Sequence, residues 1–198
     1  MYYYIQGELV LTEPGAAVID NNGIAYKLSA SANTLSHISS QKGGKIKLYT
    51  YLLVREDAME LIGFYNLEEL AAFKMLISVS GVGAKSALSV MSHLSPEKFA
   101  LAVTTADTKS ISKAQGIGAK TAARIVLEIK DKISKEIAAG DDAQPDTLPA
   151  NNNLADAQTT LLALGYTRSE ALAALRGIDT SALDLENIIK AALRKLGG

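Results

Sequence analysis

Residues 80–91 read SGVGAKSALSVM, and thirty-five residues further on, at 115–126, the chain reads QGIGAKTAARIV. Gly81, Gly83, Ala84, Lys85 and Ala87 fall on Gly116, Gly118, Ala119, Lys120 and Ala122, while Val82 falls on Ile117 and Ser86 on Thr121. No other feature constrains the fold as strongly. Two glycines one residue apart, just ahead of an apolar stripe at helical spacing, specify a tight elbow out of which a helix starts. Repetition of that elbow specifies two helix–hairpin–helix units in a central all-α region.

The elbow also has a chemistry. The first backbone N–H groups of a helix lack partners within it, and the macrodipole adds partial positive charge, so a phosphate oxygen satisfies both demands. Glycine lets a sugar–phosphate chain approach. Lys85 and Lys120 add a charge-assisted contact, and the Ser86 and Thr121 hydroxyls can donate to the same anion. Such a site reads backbone and not base sequence. A mononucleotide loop fits poorly: the P-loop needs four residues between its first glycine and Gly-Lys-Ser/Thr, and the Rossmann pattern wants a third glycine where Ser86 and Thr121 stand. A purely structural αα-turn would account for one copy better than for two. One catalytic alternative stays open. DNA glycosylase/lyases of the helix–hairpin–helix class use a hairpin lysine as a Schiff-base nucleophile, which here would be Lys120. That chemistry also needs a pocket for a flipped base.

The rest of the chain divides around this centre. Residues 1–64 are β-rich: YYYIQGELVL, AAVID, IAYKLSA, KIKLYTYLLV and MELIGFY are apolar runs rich in β-branched and aromatic residues, with Asn22-Gly23 a strong tight-turn signal. Five short strands with one longer connection, around SANTLSHISSQKGG, predict a small OB-fold barrel or a small sandwich. From Asn66 the period becomes helical through residue 139. Asn66 with Glu69 reads as a capping box, Ser95-Pro96-Glu97 as a helix start, and Asp107 as a further cap. Residues 140–153, with two prolines and three aspartates, read as a flexible acidic linker. Residues 154–198 give three short helices with a Thr167/Glu170 capping box, and docking is their expected role. The expected class is α+β and multidomain.

Net charge is −1, but it is unevenly spread: residues 1–63 sum to −1, 64–139 to +3 and 140–198 to −3. The basic excess coincides with the repeat and permits phosphate binding. Nearly half the residues are apolar and 21% are charged, the balance of a soluble globular protein. No apolar run reaches the roughly eighteen residues of a membrane span, and MYYYIQGELV lacks the features of a signal peptide. A cytoplasmic location with no membrane partner is therefore expected. The absence of cysteine excludes disulfides, iron–sulfur clusters and thiolate zinc sites. His37 and His93 have no paired spacing, and no metal or other cofactor is expected.

The segments VREDA at 54–58, FYNLEEL at 64–70, GVGAK at 81–85, GIGAKTAARIV at 116–126 and LGY at 164–166, with the order of the parts, carry a resemblance to the RuvA family. These are the Holliday-junction-binding subunits of the bacterial branch-migration machine. The resemblance implies a non-catalytic, four-fold homotetramer, in some cases a pair of tetramers, that holds four-way junction DNA open in recombination and repair. It implies that Gly81, Gly83, Lys85, Ser86, Gly116, Gly118, Lys120, Thr121 and Arg124 grip the minor-groove backbone, and that Glu56 and Asp57 form an acidic pin at the junction centre. It further implies a UBA-like C-terminal domain that binds a RuvB-like ATPase ring through Leu161, Leu164 and Tyr166, and a RuvC-like resolvase as another partner. Two positions depart from the family pattern: Ala119 where some members have a second lysine, and Ala114-Gln115 in place of a common Leu-Pro.

Overall fold

Five strands account for the β-rich segment: β1 (Tyr4–Glu13), β2 (Ala16–Asn21), β3 (Ile24–Ser29), β4 (Lys45–Val54) and β5 (Met59–Phe64). In the computed structural model, which describes residues 2–139, 152–178 and 183–196, they close into a barrel in the order β1-β2-β3-β5-β4. The barrel, and not the sandwich, is therefore the solution adopted. Its long strand β1 serves two neighbours. Residues 4–8 pair with β4 and residues 8–13 with β2, and an irregularity between Leu9 and Leu11 turns the strand from one to the other. The crossing is tight: a Cβ on Gly7 would lie 2.0 Å from the Asp20 carbonyl oxygen, so only glycine fits. Alternation along the strands buries Ile5, Leu9, Ile19, Leu28, Ile46 and Leu48 inside the barrel. β4 and β5 form a hairpin whose tip carries residues 55–58, closed by the Arg55 N–H donating to the Ala58 carbonyl at 2.8 Å.

The stretch expected merely to connect β3 to β4 instead forms a helix, α1 (Ala32–Ile38), followed by a 3-10 turn over Ser39–Gln41. Ser31 caps it, accepting from the Thr34 N–H. α1 plugs the barrel with the buried Ile38 and reaches the helices beyond it.

The central helices are α2 (Leu67–Ile77), α3 (Ala84–His93), α4 (Pro96–Thr104), α5 (Thr108–Ser112) and α6 (Ala119–Ala139). Ser95 and Asp107 cap α4 and α5, and Ala122, Ile125, Val126, Ile129 and Ile133 of α6 are all buried. The Asn66 cap is only half of a capping box. Its side chain accepts from the Glu69 N–H at 2.8 Å, but the Glu69 carboxylate turns elsewhere. Glu69 is 3% exposed, and its Oε2 accepts from the Tyr65 N–H at 2.9 Å and from the Thr34 hydroxyl at 2.6 Å. A buried carboxylate thus ties α1 of the barrel to the start of α2. Around it, Phe73 of α2 packs on Phe64 and Tyr51 of the barrel with ring centroids 5.0 and 5.3 Å apart, and His37 stacks on Tyr65 at 4.7 Å. On the far side, the Ala32 N–H donates to Ser92 Oγ and the Asn33 amide to the Met91 carbonyl. Barrel and central helices share one frame.

Residues 140–151 of the expected linker lie outside the described residues, while Asn152 and Asn153 already belong to the next helix. The C-terminal helices are α7 (Asn152–Ala163), α8 (Arg168–Leu175) and α9 (Leu185–Leu196), and the Thr167/Glu170 capping box is complete. This unit packs on the central helices through α7, which contacts α2, α4 and α6. Thr160 and Thr104 share a hydroxyl hydrogen bond of 3.0 Å across the seam. The Tyr166 hydroxyl donates to Glu68 of α2.

Removing the Glu69 carboxylate takes a charged acceptor from the buried Thr34 hydroxyl and from the Tyr65 N–H, and cuts the link between α1 and α2. Glu69→Ala is expected to destabilise the barrel-plus-helices frame by about 2–3 kcal/mol, read as a lowered urea midpoint. An unchanged midpoint would show that the buried carboxylate does not bind the frame together.

Candidate nucleic-acid interface

Each repeat places its elbow between a helix that ends and a helix that begins, α2 to α3 and α5 to α6. The two elbows share their backbone torsion at the first glycine and their hydrogen bonds. Gly81 and Gly116 both have φ of +84°, in the left-handed region that a side chain rarely adopts. The Val82 N–H donates to the Val79 carbonyl and the Ile117 N–H to the Ala114 carbonyl, each at 3.1 Å. The Ala87 N–H then donates to Gly83 and the Ala122 N–H to Gly118, each at 2.9 Å. Val82 and Ile117, 6% and 5% exposed, anchor the elbows to the core. The glycines on either side of them are exposed. The anchor points inward and the backbone faces solvent.

At the start of α3, Gly83 provides no side-chain cap, and Gly118 has no side chain with which to cap α6. The first-turn amides of both helices are therefore left for an external acceptor. Lys85 and Lys120 are exposed beside them, and Ser86 and Thr121 are half-buried one residue further on. Ala119, the first residue of α6, is exposed and contributes no charge. The two elbows adjoin: a Cβ on Gly116 would lie 3.4 Å from Ser86 Oγ, and one on Gly81 would lie 3.8 Å from Arg124 Nη1. Two neighbouring elbows, each with one exposed lysine, form one surface.

Arg124 has a further role. Its Nη1 donates to the Ser80 carbonyl at 3.3 Å, so this side chain of the second motif grips the lead-in of the first elbow. Two residues of α6 that the sequence reading passes over share that grip. Glu128 Oε2 accepts from the Ser80 N–H, and Lys132 donates to Ser78. Positions 124, 128 and 132 lie one above another on a helix, a spacing visible in the sequence, although the target of the stripe is not.

Glu56 and Asp57 sit at the exposed tip of the β4–β5 hairpin, flanked by Val54 and Met59, which are 62% and 76% exposed. Of the three C-terminal residues expected to dock a motor, Leu161 and Leu164 are buried at 0% and 3% exposure. Only Tyr166 reaches the surface, half-buried, with burial and the neighbouring Glu68 carboxylate holding its hydroxyl protonated well above the usual tyrosine range. The feature that would support catalysis at Lys120 is a pocket. Lys120 itself is exposed on the outer surface of the second elbow, as Lys85 is on the first. No helix among those residues is long and apolar enough to cross a membrane.

Comparison with known proteins covers the whole chain. Family profiles described as RuvA N terminal domain, SAM-like helix-hairpin-helix tandem, and RuvA C-terminal domain match residues 1–63, 73–131 and 152–197. Similar relatives, each described as a Holliday junction branch migration complex subunit RuvA, include proteins from Clostridium botulinum and Acetivibrio thermocellus. The first is 46% identical over 200 residues, spanning 100% of both chains. The second is 44% identical over 200 residues, spanning 99% of this chain and 98% of the relative. A protein from Ruminiclostridium cellulolyticum is 41% identical over 202 residues, spanning 99% of this chain and 100% of the relative. With its barrel, twin elbows and terminal helices all matched in order, the chain belongs to the RuvA family.

Proposed function

We propose that this chain binds four-way junction DNA through its backbone, holds the arms apart, and recruits a RuvB-like ATPase ring that drives branch migration. The observation that carries the reading is the pair of matched, solvent-facing elbows, each with a positive-φ glycine, an uncapped helix start and a lysine. Gly81, Gly83, Lys85 and Ser86 take one phosphate neighbourhood. Gly116, Gly118, Lys120 and Thr121 take the next, and Arg124 lies between them. Full-length likeness to branch-migration subunits supports the choice of a four-way junction over other DNA.

In this reading the protein is a scaffold, and ATP hydrolysis belongs to the partner. Self-assembly into a four-fold ring brings four β4–β5 tips to one axis. Large apolar side chains exposed on the monomer, Leu67 and Leu127 among them, support such self-association. At the axis, Glu56 and Asp57 repel phosphates and keep the strands from closing over the centre. The C-terminal unit is the motor-binding part. Because Leu161 and Leu164 are interior, Tyr166 and the exposed Leu172 are the better-placed contacts while the unit rests on α2 and α4. A RuvC-like resolvase would approach a junction so held.

Band-shift titration against four-way, three-way and linear DNA tests the reading, and preference for the four-way form is expected. Lys85→Ala and Lys120→Ala are each expected to weaken binding for every DNA sequence. Each should also lower the magnitude of the salt slope by about 1 per contact removed. Loss confined to some sequences would indicate base readout instead.

The double substitution Glu56→Gln with Asp57→Asn is expected to leave binding intact or tighter while reducing the preference for junction over linear duplex. An unaltered preference would remove the pin from the mechanism. Borohydride treatment of the chain on abasic DNA is expected to trap no adduct. An adduct lost in Lys120→Ala would establish the lyase chemistry in its place.

A further inference from the structure

The two repeats match at their elbows and diverge behind them. Thirty-five residues before Arg124, Glu128 and Lys132 stand Ser89, His93 and Glu97, side chains of different reach and charge. The α6 stripe therefore belongs to one motif only, and it is spent on the other. Arg124 Nη1 donates to the Ser80 carbonyl at 3.3 Å, Glu128 Oε2 accepts from the Ser80 N–H at 3.4 Å, and Lys132 Nζ donates to the Ser78 carbonyl at 3.0 Å and the Ser78 hydroxyl at 2.6 Å. Residues 78–80 lead from the end of α2 into the first elbow, with Ser78 its C-cap. Main-chain groups there are left over by the helix and need partners, and a lysine at a helix C-terminus also complements the dipole. Both polar groups of the Ser80 peptide backbone and the carbonyl of Ser78 are held by a single helix face.

We propose that Glu128, with Lys132, is a positioning residue for phosphate binding: the α6 stripe fixes the first elbow against the second so that both cradles meet the DNA backbone at one spacing. This rests on the reading of the elbows as phosphate cradles. Glu128 is the informative member because charge and geometry give opposite signs. A carboxylate on the same helix as the second elbow, nine residues on from the start of α6 and one helical turn from Arg124, repels DNA, so removing it should tighten binding if charge alone matters. If Glu128 works by holding the Ser80 N–H, removing it should loosen the first elbow and weaken binding. Glu128 is half-buried and stands one helical turn from both Arg124 and Lys132 on the same face of α6.

The test uses the full-length chain and a labelled four-way junction titrated over a KCl series. Glu128→Ala is expected to weaken junction binding by roughly three- to tenfold, the range of one lost hydrogen bond of ordinary strength. Its salt slope should match that of the unsubstituted chain, unlike the reduced slope of Lys120→Ala. Glu128→Gln keeps a carbonyl acceptor for the Ser80 N–H and is expected to bind at least as tightly as the unsubstituted chain. Hydrogen exchange of the free protein gives a second readout. Amides at 80–83 should exchange faster in Glu128→Ala and not in Glu128→Gln. Equal or tighter junction binding by Glu128→Ala, or unaltered exchange at 80–83, overturns the proposal. If the unsubstituted chain shows no preference for junction DNA, the functional reading fails, and the exchange experiment still decides whether the stripe holds the elbow.

Discussion

A residue held at positive φ decides how this molecule meets its surroundings. At Gly81 and Gly116 the chain turns so that the next side chain, Val82 or Ile117, drops into the core while the peptide groups around it face out. Burial of that one apolar residue, a contribution of about 1.5–3 kcal/mol, sets the start of the following helix at the surface with its first amides uncapped. An L-residue at the glycine would strain the backbone by about 1–2 kcal/mol. Exposure of the amides is thus produced by the same turn that anchors the hairpin. Outward-facing amides and stability of the fold come from one local geometry.

The elbows are useful only if they stay in register with each other and with the acidic tip. Two sets of polar contacts see to this. The buried Glu69 carboxylate joins α1 of the barrel to the start of α2, and α1 in turn meets the end of α3 through Ser92 and Met91. Side chains of α6 reach back to residues 78–80. Aromatic packing of Phe64, Phe73 and Tyr51 fills the space between barrel and helices. Barrel, first motif and second motif are each tied to the next.

Much of this was legible in the sequence, and the limits have physical causes. Strand alternation and the Asn-Gly turn place all five strands, since they depend on residues close in sequence. Helix starts at Ser95, Asp107 and Thr167 were readable for the same reason. α1 was not, because SANTLSHISSQKGG is short and polar, and its helix is fixed by contacts with Met91, Ser92 and Glu69 far along the chain. The Asn66/Glu69 pattern signalled a local box, but Glu69 found better partners in Tyr65 and Thr34 once buried. Leu161 and Leu164 carry the ordinary ambiguity of apolar residues on a small helical unit, which serve equally as core or as contact surface until the packing is known. The elbow glycines and lysines were exposed as expected, whereas the work of Glu128 and Lys132 depended on which main chain lay opposite their helix face.

The shared frame also determines who bears the strain of fit. A barrel and helices locked through a buried carboxylate and stacked rings hold the tip and the two cradles at a set separation, as the jaws of a caliper are set. In the proposed complex the nucleic acid must then conform to the protein. A crossing of four arms, already splayed, does so at little cost, whereas an unbroken duplex must kink, at a cost of order 1–6 kcal/mol. Discrimination by shape then needs no contact with any base.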